Sequence, residues 1–186
     1  MKGTIVGLVG RNGSGKTMLL KSICGIVPPT SGQILVRGKE IGKDIDVPDN
    51  IGVIIETPGF LLNYTGFQNL KYLSMIRNKI TKNQILEALK IVGLDQQRNK
   101  KAGKYSLGMQ QRLGIAQAIM EHPDILLLDE PMNGLDNQGV EEIRTLLLKL
   151  KEEGTTILLA SHSREDISIL CDEVFELDHG SILKKV

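Results

Sequence analysis

The sequence has no tryptophan and only two cysteines, Cys24 and Cys171, which stand far apart with no CxxC pair and no Cys/His cluster around them. Neither a disulfide framework nor a zinc site is encoded, and both thiols are expected to be reduced and in the core. Neither sign of charge is in excess: 23 Lys plus Arg oppose 22 Asp plus Glu, a formal net charge of +1, so charge alone recruits no nucleic acid or other acidic polymer. Long apolar runs are missing too, since stretches such as Ile125 to Leu128 fall far short of the roughly 18 residues of a membrane span. Met1-Lys2-Gly3-Thr4 leads straight into a strand pattern with no signal-peptide layout, so a cytosolic location is expected. No period of roughly 20 to 50 residues repeats, no segment has low complexity, and the only Pro pair is Pro28-Pro29. A solenoid and a flexible linker are thereby excluded. What the chain does have is ordinary: 41% apolar and 24% charged residues in 186 positions, enough for the buried core of one domain.

The order of segments carries more. Thr4 to Val9 is an apolar, β-rich run that stops at Gly10, and Gly15 to Ile26 then shows helical spacing. Gln33 to Val36 and Ile51 to Ile55 read as short strands, the second broken at Glu56-Thr57-Pro58-Gly59. Phe67 to Arg77, Lys82 to Val92 and Leu107 to Met120 read as three helices in an inserted helical subdomain. The alternation resumes with a strand over Ile125 to Leu128, a helix over Val140 to Glu153, a strand over Thr156 to Ala160 and a helix over Arg164 to Leu170. Apolar strands alternating with helices predict an α/β fold with a mostly parallel sheet covered on both faces.

Gly10-Arg11-Asn12-Gly13-Ser14-Gly15-Lys16-Thr17 fits G-x-x-x-x-G-K-[ST] at a strand-to-helix junction, where a phosphate-cradling loop must lie. Its glycines let backbone N–H groups face a phosphate, the helix N-terminus adds positive potential, Lys16 reaches the β and γ oxygens, and Thr17 offers a hydroxyl to Mg²⁺. The strand Ile125 to Leu128 runs into Asp129-Glu130-Pro131, placing two carboxylates where open α/β sheets bind ligands. Asp129 can hold Mg²⁺ with Thr17, and Glu130 can orient and deprotonate an attacking water. Ser106-Leu107-Gly108-Met109-Gln110-Gln111-Arg112 opens the third helix, with Ser106 suited to the N-cap and Gly108 permitting close backbone approach. His162 follows a strand end; His122 and His179 sit in apparent turns and carry no functional reading.

These motifs, in this order across the whole chain, resemble the ATP-binding subunits of ABC transporters. The matching stretches are the phosphate loop, Ser106 to Gln111 as signature, Asp129-Glu130-Pro131, Asn133-Gly134-Leu135-Asp136 as D-loop, and His162 as switch histidine. The resemblance implies a P-loop NTPase, with residues 1–56 and 121–186 as the α/β core and 57–120 as the helical signature subdomain. It implies ATP and Mg²⁺ as ligands, and a head-to-tail pair of ATPase subunits with ATP sandwiched between one phosphate loop and the other chain's signature helix. Ser106 and Gly108 would contact the γ-phosphate across the interface, His162 would hold it from within the same chain, and Asp136 would bridge the halves. A membrane permease as partner and a place on the inner face of the cell membrane follow from the same resemblance.

Leu107 and Met109 depart from the usual signature, which places Gly and Gln there. Glu56 stands where the family usually has Gln, a feature similar to ATPases of bacitracin- and lantibiotic-type peptide exporters, and is expected near the Mg²⁺ and γ-phosphate, linked to the permease by the helices after it. Phe60 and Asn69-Leu70 resemble the same subgroup. The start is expected to be shortened relative to the family, without the aromatic that stacks on adenine, and hence to discriminate ATP from GTP poorly. A nucleotide-binding fragment without turnover and an ABC ATPase detached from any permease are the alternative readings; a simple P-loop kinase explains neither the signature nor the D-loop stretch.

Overall fold

Leu126, Leu127 and Leu128 are each no more than 1% exposed, as an unbroken apolar run must be if its strand is covered on both faces. In the computed structural model, which describes residues 3–185, that run is β5 (Ile125–Asp129) inside a six-stranded sheet. It pairs in parallel with β4 (Ile51–Ile54) on one side and β6 (Thr156–Ala160) on the other. Beyond β6 lie β1 (Ile5–Val9), β7 (Glu173–Asp178) and β8 (Ser181–Lys185), giving the order β4-β5-β6-β1-β7-β8, with only the β7–β8 pair antiparallel. The helices are α1 (Lys16–Ile23), α2 (Gly66–Arg77), α3 (Lys82–Ile91), α4 (Leu107–Ile119), α5 (Asn137–Glu152) and α6 (Arg164–Leu170).

The period of two along each strand divides the core. Leu126 and Leu128, with Ile5, Ile157 and Leu159, face the larger core built with Leu89 of α3, Leu113 of α4 and Leu147 of α5. Leu127, with Leu8 and Ala160, faces a smaller core closed by Leu20 of α1 and Cys24. Each such leucine contributes about 1.5–3 kcal/mol relative to an exposed one. Helices α2 and α3 begin with matching capping boxes, Thr65 with Gln68 and Thr81 with Gln84, which satisfy orphan N–H donors at both ends of the exchange. The two thiols are free. Cys24 is buried and Cys171 partly so, and burial pushes the Cys171 thiol up to about 12, so it stays protonated at neutral pH.

Three sequence expectations need correction, and strands β7 and β8 were not foreseen. The helix expected to reach Ile26 ends at Ile23, because Gly25 turns with a left-handed φ of 82° and leaves Ile26 in solvent. The strand expected from Gln33 is only β2 (Leu35–Val36), a hairpin arm paired with the unforeseen β3 (Lys39–Glu40). Helix α5 starts at Asn137 rather than Val140, since Asp136 caps it. Strand β7 was hidden by Glu173, Glu176 and Asp178 around its apolar positions, and β8 by having only Ile182 and Leu183 ahead of two lysines; the His179-Gly180 turn, with φ of 46° and 78°, joins them as a two-residue hairpin.

Helix α4 lies so close to β4 that a Cβ on Gly52 would stand 2.0 Å from the Ala118 carbonyl oxygen and 2.6 Å from Leu126 Cδ2. Both neighbours are fixed by backbone or core packing. Gly52→Ala should therefore cost about 1–3 kcal/mol through overpacking and lower the thermal midpoint by several degrees. Gly59→Ala, with nothing within 4 Å of the added carbon, is the control expected to leave the midpoint unchanged.

Candidate nucleotide-binding site

Because β4, β5, β6 and β1 are parallel neighbours, their carboxyl ends share one edge of the sheet. The sequence motifs fall there together: Glu56 after β4, Asp129 and Glu130 at the end of β5, His162 after β6, and residues 10–17 after β1.

The loop wraps the N-terminus of α1. Gly10 has φ 149°, and a Cβ there would meet the Leu177 carbonyl oxygen at 2.2 Å and Ser14 Oγ at 2.6 Å; Gly15 is left-handed with φ 107°. No other residue type fits either position. Asn12 and Gly13 are exposed at the rim. Lys16 is buried, and its ammonium donates to the carbonyl oxygens of Gly10 (2.7 Å) and Arg11 (3.1 Å), so the charge lies folded against the loop. Ser14 Oγ is the buried side-chain polar atom without a hydrogen-bond partner among the described residues. An orphan hydroxyl, a buried ammonium and the positive end of a helix with no acidic residue in its first turn are donors for a phosphate.

Thr17 Oγ1 donates to Asp129 Oδ2 at 2.7 Å, bringing α1 and β5 together. A hydroxyl and a buried carboxylate are hard oxygen ligands of the kind Mg²⁺ takes beside phosphates, so the residues fit that ion. One residue on, Glu130 has the left-handed φ of 50°, unusual for a residue with a Cβ and strained by about 1–2 kcal/mol. Its N–H donates to the Ala160 carbonyl (2.9 Å), and its own carbonyl accepts from the Asn133 N–H (3.1 Å). His162 Nδ1 stands 2.8 Å from Glu130 Oε2. A candidate general base thus has an imidazole oriented against it, across two adjacent strand ends.

Glu56, with φ 60°, has its carboxylate on Lys21, whose ammonium donates to Oε1 at 2.6 Å. Lys21 lies four residues beyond Thr17 on α1, the same helical face, so Glu56 meets that helix one turn away from the Thr17–Asp129 pair. Ser106 caps α4, its Oγ accepting from the Met109 N–H at 3.2 Å. Gly108 lies so near the 133–135 segment that an added Cβ would be 2.9 Å from the Gly134 carbonyl oxygen. Among the described residues no hydrogen bond or ion pair joins Ser106 or Gly108 to residues 10–17. The Asp136 side chain is occupied as the N-cap of α5, accepting from the Gly139 N–H at 2.8 Å. Sequence reasoning missed Lys21 and the inward role of Gln111, because the first needs the fold to find its partner and the second reads as one more polar residue on a helix.

Residues 1–133 match the model of the ABC transporter family. The chain belongs to that family. Relatives of this ABC protein include an uncharacterized ABC transporter ATP-binding protein, YybJ, of Bacillus subtilis (strain 168), 50% identical over 97% of this chain and 83% of the relative. The bacitracin transport ATP-binding protein BcrA of Enterococcus faecalis is 44% identical over 100% of this chain, which spans 61% of BcrA. Among solved structures, the ATP-binding cassette MJ0796, a dimer in a post-hydrolysis state bound to ADP and Pi, superposes with a TM-score of 0.90 at 26% identity, covering 100% of this chain and 86% of that one. The fold is that of a P-loop NTPase.

Proposed function

We propose that this ABC protein is the ATP-binding and ATP-hydrolysing subunit of a membrane transporter, and that its cargo is a peptide antibiotic or a related compound. The observation that carries the reading is the pairing of Glu130 with His162 next to the pairing of Thr17 with Asp129, on neighbouring strand ends above a phosphate loop. Lys16, Ser14 and the α1 N-terminus bind the phosphates of ATP. Glu130 takes a proton from water as its oxygen attacks the γ-phosphorus and the bond from that phosphorus to the bridging oxygen breaks, releasing ADP and phosphate. His162 orients the Glu130 carboxylate and the terminal phosphate. Thr17 and Asp129 would hold Mg²⁺, which neutralises charge on the phosphates.

Residues 57–120 act as the helical subdomain on a core of 1–56 and 121–186. Ser106 and Gly108 complete the site of a second ATPase subunit, an arrangement supported by the dimeric solved structure and in keeping with the absence, among the described residues, of a hydrogen bond or ion pair from them to this chain's own loop. The permease spans the membrane and this subunit lies on its cytoplasmic face; no helix of the described residues is long and apolar enough to cross the membrane. The exporter class is supported by the bacitracin relative and by Glu56.

Affinity purification of the tagged chain from membranes tests this reading. An integral membrane protein should co-purify, and the complex should hydrolyse ATP; a chain recovered alone and inert would overturn it. In that complex Glu56→Gln should shift the Mg²⁺ dependence of hydrolysis, because it removes a negative charge and frees the Lys21 ammonium one helical turn from the Thr17–Asp129 pair. Unchanged Mg²⁺ dependence and unchanged transport would exclude Glu56 from the site.

A further inference from the structure

Helix α4 is polar at Gln111 where its neighbours Leu113 and Ile115 are core, yet Gln111 is itself buried. A buried carboxamide must use its N–H groups or lose about the free energy of a hydrogen bond for each one left over. Its Nε2 donates to the Pro131 carbonyl oxygen at 3.0 Å and lies 3.5 Å from that of Glu130. These are the two peptides that follow the left-handed Glu130. One turn on, on the same face, Gly114 leaves room for Pro58: a Cβ at that glycine would be 2.6 Å from Pro58 Cγ. Pro58 lies two residues after the other left-handed carboxylate, Glu56. One face of α4 thus seats the backbone behind both strained glutamates, through a hydrogen bond in one case and van der Waals contact in the other.

The strain at Glu130 makes that seat consequential. A residue with a Cβ holds a left-handed φ only when its surroundings over-determine it. The restraints on Glu130 are its own N–H on Ala160, the Asn133 N–H on its carbonyl, the contact with His162, and Gln111. The first three come from β6, its own loop and the segment after β6. Of these restraints among the described residues, only Gln111 comes from α4, the helix that carries Ser106 at its start.

The geometry points to Gln111 as a positioning residue for Glu130: it ties the peptides after the base to α4, so that the helix bearing Ser106 and the base of the same chain move as one block. This rests on the proposed reading of Glu130 as the general base. Displacement of the α4 N-terminus would carry the Glu130–Pro131 peptides with it, and the hydrogen bond, not the apolar packing around it, transmits the shift.

The test uses Gln111→Leu, which keeps the shape and deletes the donor, with Gln111→Met as a second variant should the branched side chain disturb folding. Amide hydrogen exchange of the nucleotide-free chain should quicken about tenfold at Glu130 and Asn133, the size of one lost hydrogen bond, while Leu126 to Leu128 stay protected. In the assembled transporter kcat should fall about tenfold or more, with calorimetric ATP affinity within about twofold of wild type. Placing Glu130→Gln on Gln111→Leu should cost much less than placing it on wild type, because a misplaced base has less to lose. Unchanged exchange at Glu130 and Asn133, or faster exchange with an unchanged kcat, overturns the positioning role. A wild-type rate in Glu130→Gln alone instead removes the general base and this role with it, whereas a lost rate there beside a normal rate in Gln111→Leu overturns the present proposal only.

Discussion

Glu130→Gln should lower ATP turnover by about 10²–10⁴-fold, the contribution of a positioned general base, while ATP affinity stays close to wild type. The amide keeps the length of the carboxylate and one acceptor for His162, which now stands 2.8 Å from Oε2. The backbone bonds from Glu130 to Ala160 and from Asn133 to Glu130 do not involve the side chain, so the left-handed strand end is retained and the thermal midpoint should barely move. What disappears is the ability to accept a proton. Phosphate binding is untouched, since Lys16 and Ser14 belong to a different strand end. A variant that binds and does not hydrolyse should accumulate the ATP-bound pair of subunits, visible as an earlier peak in size-exclusion chromatography with Mg²⁺-ATP. Wild-type turnover would sink the assignment of Glu130, and loss of binding in parallel with turnover would show that the residue holds the site together and does not act as its base.

The loop at residues 10–17, the Asp129-Glu130 pair and His162 were legible because each combines a local pattern with a strand end, and parallel strands in one sheet bring such ends to one edge. The three helices from residue 66 to residue 119 were legible through periodicity, and the third also through its Ser106 cap. Less was available where the structure depends on long-range partners. Strand β7 has Glu173, Glu176 and Asp178 among its apolar residues, and nothing local says that it pairs with the buried β1. The ion pair of Lys21 with Glu56 spans 35 residues and forms only because β4 ends beside α1. Gln111 is of the same kind, since its burial is a consequence of how α4 meets the end of β5. Asp136 is the converse case: the family pattern gives it a role between subunits, while the capping rule, applied to Asp136 and the helix after it, accounts for its contact with Gly139.

Lys16→Ala should weaken ATP binding by about 10- to 150-fold, the range that corresponds to the 1.5–3 kcal/mol of a hydrogen bond to a charged group. Two effects add. The variant removes the positive charge nearest the loop, and it deletes the bonds from the ammonium to the Gly10 and Arg11 carbonyls, which fold the loop over the start of α1. Lys16→Arg should restore little, because Lys16 is only 7% exposed and the broader guanidinium has to be accommodated in a space fitted to an ammonium. The phosphates discriminate this from a general loss of structure. Adenosine, which has none, should bind the variant and the wild type equally weakly, so that the preference for ATP over adenosine collapses while the thermal midpoint without nucleotide changes little. Calorimetric titrations of both ligands decide the point: an unchanged ATP affinity excludes Lys16 from the phosphate site, and an equal loss for adenosine shows that the substitution damages the fold and leaves no specific phosphate contact to assign to this residue.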